Sequence, residues 1–228
     1  MKRRGLAFLF VFLLTMPCAA VYADAQKATL DQVNVQIEVK DGVYTVQEHV
    51  TLQHPSAVPD GLLEHTFSHI NGVKTEGMKF IAGGQELGTE IKDGEAMDRI
   101  FMKVPAESSD ALEYTIEYQA EVPKGEYALP LVVPMYAVGK SENRVQISFQ
   151  APAGNVIQAN SFPVVNHSGQ DHVTSNMVNI PSHVSYIYGT EETVFHSHNL
   201  ISAVTLLVLV GILVGWAAVE RKNARKGA

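Results

Sequence analysis

Two histidines stand four residues apart in the segment GLLEHTFSHINGV, and this spacing raises the question of a metal site. They are His65 and His69. On an α-helix, side chains at positions i and i+4 are neighbours on one face and can bind one ion together. On a β-strand they share a face but stand about 13 Å apart, at roughly 3.3 Å per residue. A zinc ion holds histidine nitrogens at about 2.0–2.1 Å, so the backbone conformation decides whether the pair chelates.

The sequence around this pair favours a strand, because apolar and polar residues alternate through LLEHTFSH with a period of two. On a strand, His65 and His69 are too far apart to bind one ion by themselves. A metal site here would need a further ligand from an adjacent strand, and His49 and His54 are the candidates. The alternative is that these histidines are structural or surface residues.

A second pair lies in the segment FHSHNL, where His196 and His198 are separated by one residue. On an extended chain these side chains share a face about 6–7 Å apart, which is compatible with two ligands of one ion. The alternative for this pair is a polar linker beside a membrane. Together the histidine candidates suggest one possible function, the binding or handling of copper or zinc outside the membrane.

Other catalytic signatures are scarce in the sequence. Cys18 is the only cysteine, and it lies in a segment predicted to be removed, so the mature chain should lack disulfides and thiol chemistry. No nucleophile elbow, phosphate-binding loop, zinc-protease helix or dinucleotide-binding glycine pattern is present. The sequence therefore predicts a non-catalytic protein without a cofactor, and an enzyme with a dispersed active site is the remaining alternative.

The elements that would position the histidines are predicted to be strands. The segments QVNVQIEV and VYTVQEHVTL alternate on either side of Asp41-Gly42, which is a strong hairpin signal. The apolar face of the second segment is predicted to consist of Tyr44, Val46, Val50 and Leu52. About ten short strands with turns every 8–12 residues predict a mainly β fold, an antiparallel β-sandwich of immunoglobulin-like or similar type.

Two prolines interrupt one apolar segment, YALPLVVPMY. Because proline cannot donate to a strand ladder, Pro130 and Pro134 predict an edge strand or a crossing between sheets. A seam between two smaller β units near residue 123 is an alternative to a single unit.

The two ends of the chain predict a membrane topology. Residues 1–23 are typical of a secretory signal peptide, with a basic start, a short apolar core and small residues before the cleavage site. Residues 24–197 are the predicted extracytoplasmic region. Residues 198–219 form a predicted transmembrane helix, whose twenty uncharged positions from Leu200 span about 30 Å. Residues 220–228 are a basic cytoplasmic tail.

Particular residues of the C-terminal segment carry this prediction. Trp216 is placed at the membrane interface, and four basic residues should stay in the cytoplasm by the positive-inside rule. These are Arg221, Lys222, Arg225 and Lys226. Gly211 and Gly215 give a small-xxx-small face that lets helices approach closely, which predicts a homodimer or packing on another membrane subunit.

Charge limits the possible partners. The chain has a net charge of −7, but residues 24–199 contain 10 basic and 23 acidic residues, which gives −13 for this region. Such an acidic region argues against nucleic acid as a partner. The predicted function is a single-pass cell-membrane protein that acts as a binding module or accessory subunit, with the lipid bilayer as a partner. The short signal and the cysteine-free exterior favour a bacterial source.

Overall fold

The computed structural model describes residues 27–106, 110–139, 144–165, 169–192 and 197–226. The side chains of residues 197–199 and 223–226 are outside this description. The predicted signal peptide, residues 1–23, also lies outside the described residues.

The described part of the chain is mainly β, followed by one long helix. Its fifteen strands are β1 (Thr29–Lys40), β2 (Val43–Gln53), β3 (Leu62–Ser68), β4 (Lys74–Ala82), β5 (Gln85–Leu87), β6 (Thr89–Lys92), β7 (Met97–Lys103), β8 (Ala111–Glu121), β9 (Ala128–Pro130), β10 (Val132–Pro134), β11 (Val145–Gln150), β12 (Val156–Ile157), β13 (His172–Met177), β14 (His183–Ser185) and β15 (Tyr188–Gly189). Two 3₁₀ turns, Pro55–Ala57 and Pro59–Gly61, separate β2 from β3. The helix is α1 (Ser197–Lys226).

The larger sheet has seven strands in the order β13-β11-β1-β2-β8-β4-β5. Its centre is the hairpin of β1 and β2, which pair antiparallel and continue into β8. The hairpin turns at Asp41 and Gly42, whose φ angles are +53° and +83°. Positive φ at both central residues is what a type I′ turn requires, and Asp-Gly tolerates it. The predicted hairpin is therefore confirmed.

One pairing in this sheet differs from the all-antiparallel expectation. β11 runs parallel to β1, with Val33 opposite Val145 and Glu38 opposite Gln150. Parallel strands need a long crossover connection, and most of the β region lies between these two strands in the sequence. Amphipathic alternation specifies which face of a strand is buried but not the direction of its neighbour, so the sequence pattern did not reveal this pairing.

A four-stranded sheet, β10-β3-β7-β6, and two small sheets, β12-β15 and β14-β9, complete the β region. One apolar core collects side chains from both larger sheets, including Val46 and Ile116 from one and Leu63 and Ile100 from the other. None of the described sheets closes into a barrel.

The proline segment lies where the chain passes between sheets. β9 ends at Pro130 in a small sheet, Leu131 is fully buried, and β10 ends at Pro134 on the edge of the four-stranded sheet. The predicted edge position is confirmed. Leu129 and Val145, which follow residue 123, belong to the same core as the earlier strands.

The helix α1 contains a stretch long and apolar enough to cross a membrane. This stretch is Leu200–Lys222, with a mean hydropathy of 2.5, and none of it is buried within the protein. At 1.5 Å per residue it is about 35 Å long. The helix continues to Lys226, beyond the predicted end at residue 219, because residues 220–226 contain no glycine or proline that would stop it.

The parallel pairing can be checked with cysteine pairs on the solvent face of the sheet. We expect Asn34→Cys with Gln146→Cys to form an intramolecular disulfide, since these residues are register partners. The matched pair Asn34→Cys with Gln150→Cys should not, because position 150 lies four residues further along β11, about 13 Å away. Mass spectrometry of the oxidised chain measures both. A disulfide in the second pair without one in the first would contradict the parallel register.

Candidate functional site

The structure separates three of the four candidate histidines that it fully describes. His49 is exposed on the solvent face of β2, with its Nδ1 2.9 Å from Thr115 Oγ1. His65 is completely buried in β3. His69 follows β3 on the surface, where its Nε2 lies 2.8 Å from a carboxylate oxygen of Asp98. The structure therefore does not bring them together, and the described residues contain no group of three metal-ligating side chains that could hold an ion.

The surface pair formed by His69 and Asp98 has a simple electrostatic consequence. The hydrogen bond that His69 donates to Asp98 is the largest of the influences that raise the pKa of His69 above its ordinary value. Partial desolvation opposes this shift. Because His69 is solvent-exposed, the pair is an ordinary surface interaction and contributes little to stability.

The other histidine candidates lie at turns or at the margin of the described residues. His54 adopts a left-handed conformation, φ +54°, just before the first 3₁₀ turn. His196 is outside the described residues, and His198 belongs to α1, which begins at Ser197. The extended geometry assumed for this pair therefore does not hold at His198. Metal binding by the pair stays a prediction.

A cluster of buried polar side chains lies where the two larger sheets face each other. We call it the polar core cluster; it consists of Glu48 from β2, His65 from β3, and Tyr114 and Tyr118 from β8. Glu48 and His65 are completely buried, and the two tyrosines are nearly so. Buried ionisable groups are costly unless they are neutral or paired, so each of these requires a physical account.

Glu48 and Tyr118 bind the backbone of the proline segment. Glu48 Oε1 accepts a hydrogen bond from Val132 N at 2.9 Å and lies 3.2 Å from the Tyr118 hydroxyl oxygen. The Tyr118 hydroxyl lies 2.6 Å from Pro130 O, to which it donates. Leu131 N donates to Ser182 O at 3.0 Å. The two side chains thus satisfy polar backbone groups that the crossing between sheets buries.

The environment keeps Glu48 protonated at neutral pH. Burial raises the pKa of Glu48 from 4.5 to about 8, and the interactions with Val132 N and the Tyr118 hydroxyl offset only part of this shift. Its second oxygen, Oε2, has no hydrogen-bond partner among the described residues. A neutral carboxyl group fits this position, because an ionised oxygen without a donor would be strongly destabilising.

His65 and Tyr114 form the other half of the cluster. His65 Nε2 lies 2.8 Å from the Tyr114 hydroxyl, and the imidazole packs edge-on against Phe80 at 5.1 Å between ring centres. Burial lowers the pKa of His65 from 6.5 to about 4, and the carbonyls of Ile100 and Leu63 oppose this shift in part. His65 Nδ1 has no hydrogen bond of good geometry in the described residues. The imidazole is therefore neutral at pH 7.

The polar core cluster is closed to solvent, so its geometry is that of a structural bridge between sheets. The sequence contains a signal for the polar core cluster that the strand prediction did not take into account. Glu48 lies between Val46 and Val50 on a face that is otherwise apolar. A carboxylate at a buried position of a period-two pattern indicates a bound or neutral acid. Glu48 and His49 lie in different environments because β2 directs these adjacent residues to opposite faces.

Open concavities lie along the β13 edge and on the outer face of the seven-stranded sheet. The largest of those described, about 760 Å³, is a groove between β13 and the segment 162–164. A second, of about 360 Å³, lies beside the irregular register of β4 near Gly77, and a third, of about 280 Å³, includes His49. All three are shallow surface features with polar backbone and side-chain groups in their walls.

The membrane-segment candidates occupy α1. Apart from the helix's own nearby backbone, no described atom lies within 4 Å of where a Cβ of Gly211 or Gly215 would stand, so their side of the helix is open. Trp216, Arg221 and Lys222 are exposed near the C-terminal end of the apolar stretch. Arg225 and Lys226 lie in the last turn of the helix, where the structure describes the backbone but not the side chains.

No protein-family model matches the chain, and no curated protein matches it. Among solved structures, yeast LTA4 hydrolase in complex with bestatin is similar over 71% of this chain and 29% of its own, with 11% identity and a TM-score of 0.43. An M1 zinc metallopeptidase from Deinococcus radiodurans is similar over 72% of this chain and 42% of its own, with 11% identity and a TM-score of 0.39.

A putative protease from Parabacteroides distasonis is similar over 68% of this chain and 36% of its own, with 13% identity and a TM-score of 0.37. The chain therefore spans less than half the length of each of these three proteins. Similarity at this level carries no argument about function.

The protonated state of Glu48 leads to a prediction about stability. The unfolded chain loses the Glu48 proton near pH 4.5, whereas the folded chain keeps it to about pH 8. Folded-state stability should therefore fall as pH rises through this window, by up to about 1.4 kcal/mol per pH unit from this group. We expect Glu48→Gln, which does not titrate, to gain stability relative to the wild type over the same window.

Urea unfolding at several pH values, followed by far-UV circular dichroism of the full chain in detergent, measures this difference. Glu113→Gln, at an exposed position of β8, is the matched control and should show no such trend. A constant difference between Glu48→Gln and the wild type from pH 5 to pH 8 would contradict a protonated Glu48.

The neutral imidazole of His65 predicts the opposite trend on the acid side. The unfolded chain takes up a proton at His65 near pH 6.5, but the folded chain does so only near pH 4. Stability from this group is complete above pH 6.5 and is lost as pH falls toward 4. Relative to the wild type, His65→Gln should regain up to about 1.4 kcal/mol per pH unit over that range. His49→Gln, on the solvent face, is the control, and equal behaviour of the two variants in the same unfolding assay would refute the assignment.

Proposed function

We propose that the chain is a single-pass membrane protein whose extracytoplasmic β-sandwich acts as a binding module or an accessory subunit of a membrane complex. The observation that carries this proposal is the apolar stretch Leu200–Lys222, which has no side chain buried against the β region. An exposed apolar helix of this length is unfavourable in water and favourable in a bilayer. The lipid bilayer is thus the first partner of the chain.

The β-sandwich part of the proposal is supported by the common core of the two larger sheets. Tyr114 from the seven-stranded sheet and His65 from the four-stranded sheet meet in this core. Face-to-face packing of two sheets with alternating buried residues is the principle of a sandwich. One parallel pair, β1 with β11, is accommodated within it.

The orientation is supported by charge. Arg221 and Lys222 follow the apolar stretch directly, and positive residues stay in the cytoplasm. The β region, with its net charge of −13 between residues 24 and 199, then lies outside the membrane. Trp216 lies near the cytoplasmic end of the stretch, where its ring prefers the interface.

A non-catalytic role is supported by the location of the two groups whose pKa values are strongly shifted, Glu48 and His65. Shifted pKa values often mark active sites, because catalysis needs groups poised near the working pH. Here Glu48 and His65 are enclosed in the core and occupied with structural partners. The open side of α1 at Gly211 and Gly215 supports packing against a second copy or another membrane subunit.

The topology is tested with single cysteines in a Cys18→Ser background. We expect Ser148→Cys, on β11, to react with an impermeant maleimide in intact cells. Asn223→Cys, beyond the apolar stretch, should react only after the membrane is permeabilised. The chain should also remain in the membrane pellet after carbonate extraction, because α1 spans the bilayer.

Labelling of Asn223→Cys in intact cells, or release of the chain by carbonate, would overturn the topology. The non-catalytic role is checked separately with the purified full chain in detergent. Turnover of peptide, ester, glycoside or phosphoester substrates that is abolished by a substitution in the β region would overturn it.

A further inference from the structure

The terminal strand β13 leaves one row of its backbone groups facing away from the sheet. Ala151 N donates to Asp171 O at 2.8 Å, and these residues continue the register of β11 and β13. In an antiparallel ladder, hydrogen-bonded residues alternate along each strand. Positions 173, 175 and 177 therefore bond toward β11. The N–H and C=O groups of His172, Thr174 and Asn176 point to the other edge, where the described part of the seven-stranded sheet has no further strand. Just before β13 this edge is occupied, because Ile157 N of β12 donates to Gln170 O at 2.7 Å, so the open part begins at His172.

Proteins usually protect such edges, and the other terminal strands of the two larger sheets show this. β5 has only three residues and includes Glu86. β6 carries Glu90 and Lys92, and β10 ends in Pro134. β13, HVTSNM, has six residues without proline, lysine, carboxylate or register shift. A regular, unprotected edge is a template for pairing with another strand.

The charge distribution also distinguishes this edge. The outward-facing side chains of β11 and β13 carry no charge when His172 is neutral; they are Gln146, Ser148, Gln150, His172, Thr174 and Asn176. By contrast, the outer face of β8 carries Glu113, Glu117 and Glu121. In a region with a net charge of −13, the β13 edge is therefore a place where two identical copies can approach without opposing carboxylates.

We propose that β13 pairs antiparallel with β13 of a second copy of this chain, about a two-fold axis at Thr174. In this register Thr174 faces Thr174 of the other copy, and each His172 faces Asn176 of the other. Cross-strand threonine pairs are favourable, and histidine and asparagine can hydrogen-bond to each other. The pairing is self-complementary, as a two-fold interface requires.

The groove beside β13 is the space that the second strand enters. Its volume is about 760 Å³, and its far wall is formed by Phe162, Pro163 and Val164. Phe162 and Val164 are 42% and 72% exposed, although both are large apolar residues. Pairing at β13 brings the second copy against this wall, and covering these side chains adds apolar burial to the backbone hydrogen bonds.

This inference rests on the proposed function in one respect. Two copies anchored by α1 in one bilayer share a surface, which raises their effective concentration and allows a short strand interface to form. The pairing at β13 is distinct from contacts between helices at Gly211 and Gly215. Failure of one therefore leaves the other open to test.

The test uses the full chain with Cys18→Ser, reconstituted in lipid vesicles. Under mild oxidation, Thr174→Cys should form a disulfide-linked dimer, since the two cysteines face each other across the new strand pair. Ser148→Cys is the matched control on the same face of the next strand. Two copies of residue 148 would be three strand spacings apart, about 14 Å, and should cross-link at least about tenfold more slowly.

A second comparison removes the hydrogen bonds without a cross-link. Thr174→Pro deletes the outward N–H but leaves the bonds toward β11, whereas Thr174→Ala keeps that N–H. With two bonds lost per dimer, Thr174→Pro should weaken dimerisation about tenfold relative to Thr174→Ala, measured by sedimentation in detergent. Circular dichroism confirms that both variants are folded.

Equal cross-linking of Thr174→Cys and Ser148→Cys, or none in either, would overturn the proposal. So would a Thr174→Cys disulfide to a different protein in place of a second copy. If the chain is carbonate-resistant and correctly oriented but monomeric, the edge pairing fails while the proposed membrane function stands.

Discussion

The β region depends on the buried carboxyl group of Glu48, which accepts a backbone hydrogen bond where the chain crosses between sheets. The chain crosses between sheets at residues 130–132, inside the core, where an unpaired backbone group costs about as much as a lost hydrogen bond. Glu48 accepts from Val132 N, and the Tyr118 hydroxyl donates to Pro130 O. Without these two side chains the crossing would bury unsatisfied polar atoms. Packing of the two larger sheets at this point would then be less favourable.

The same core excludes charge. Glu48 and His65 could in principle form an ion pair, but the pKa of Glu48 is raised and the pKa of His65 is lowered. Desolvation is the largest cause of both shifts, so the neutral forms are favoured for both groups. Between about pH 4.5 and 6.5 their effects on stability have opposite signs and offset each other. Burial also raises the pKa of Tyr114, and the neighbouring Glu48 carboxyl group adds to this shift.

Much of the fold could be predicted from periodicity and turn chemistry, because both are local. The hairpin at Asp41-Gly42, the edge position of Pro134 and the apolar helix all follow from short segments. The parallel pairing of β1 with β11 could not, since strand direction depends on long connections that alternation does not encode. The separation of the histidine candidates could not be predicted for a related reason. Adjacent strand residues face opposite ways, so His49 remains outside while Glu48 is enclosed.

The interior and the surface of the β region therefore have different tasks. The titratable groups with shifted pKa values lie inside and join the sheets, so a binding role of the kind we propose would fall to the exterior. On that exterior the acidic side chains of β8, such as Glu117, contrast with the uncharged face of β13. Two copies of the chain would repel each other at the acidic face of β8 but not at β13. If the chain is anchored in a bilayer as we propose, its copies meet with only some edges able to pair, and the regular backbone and uncharged side chains of β13 meet that condition.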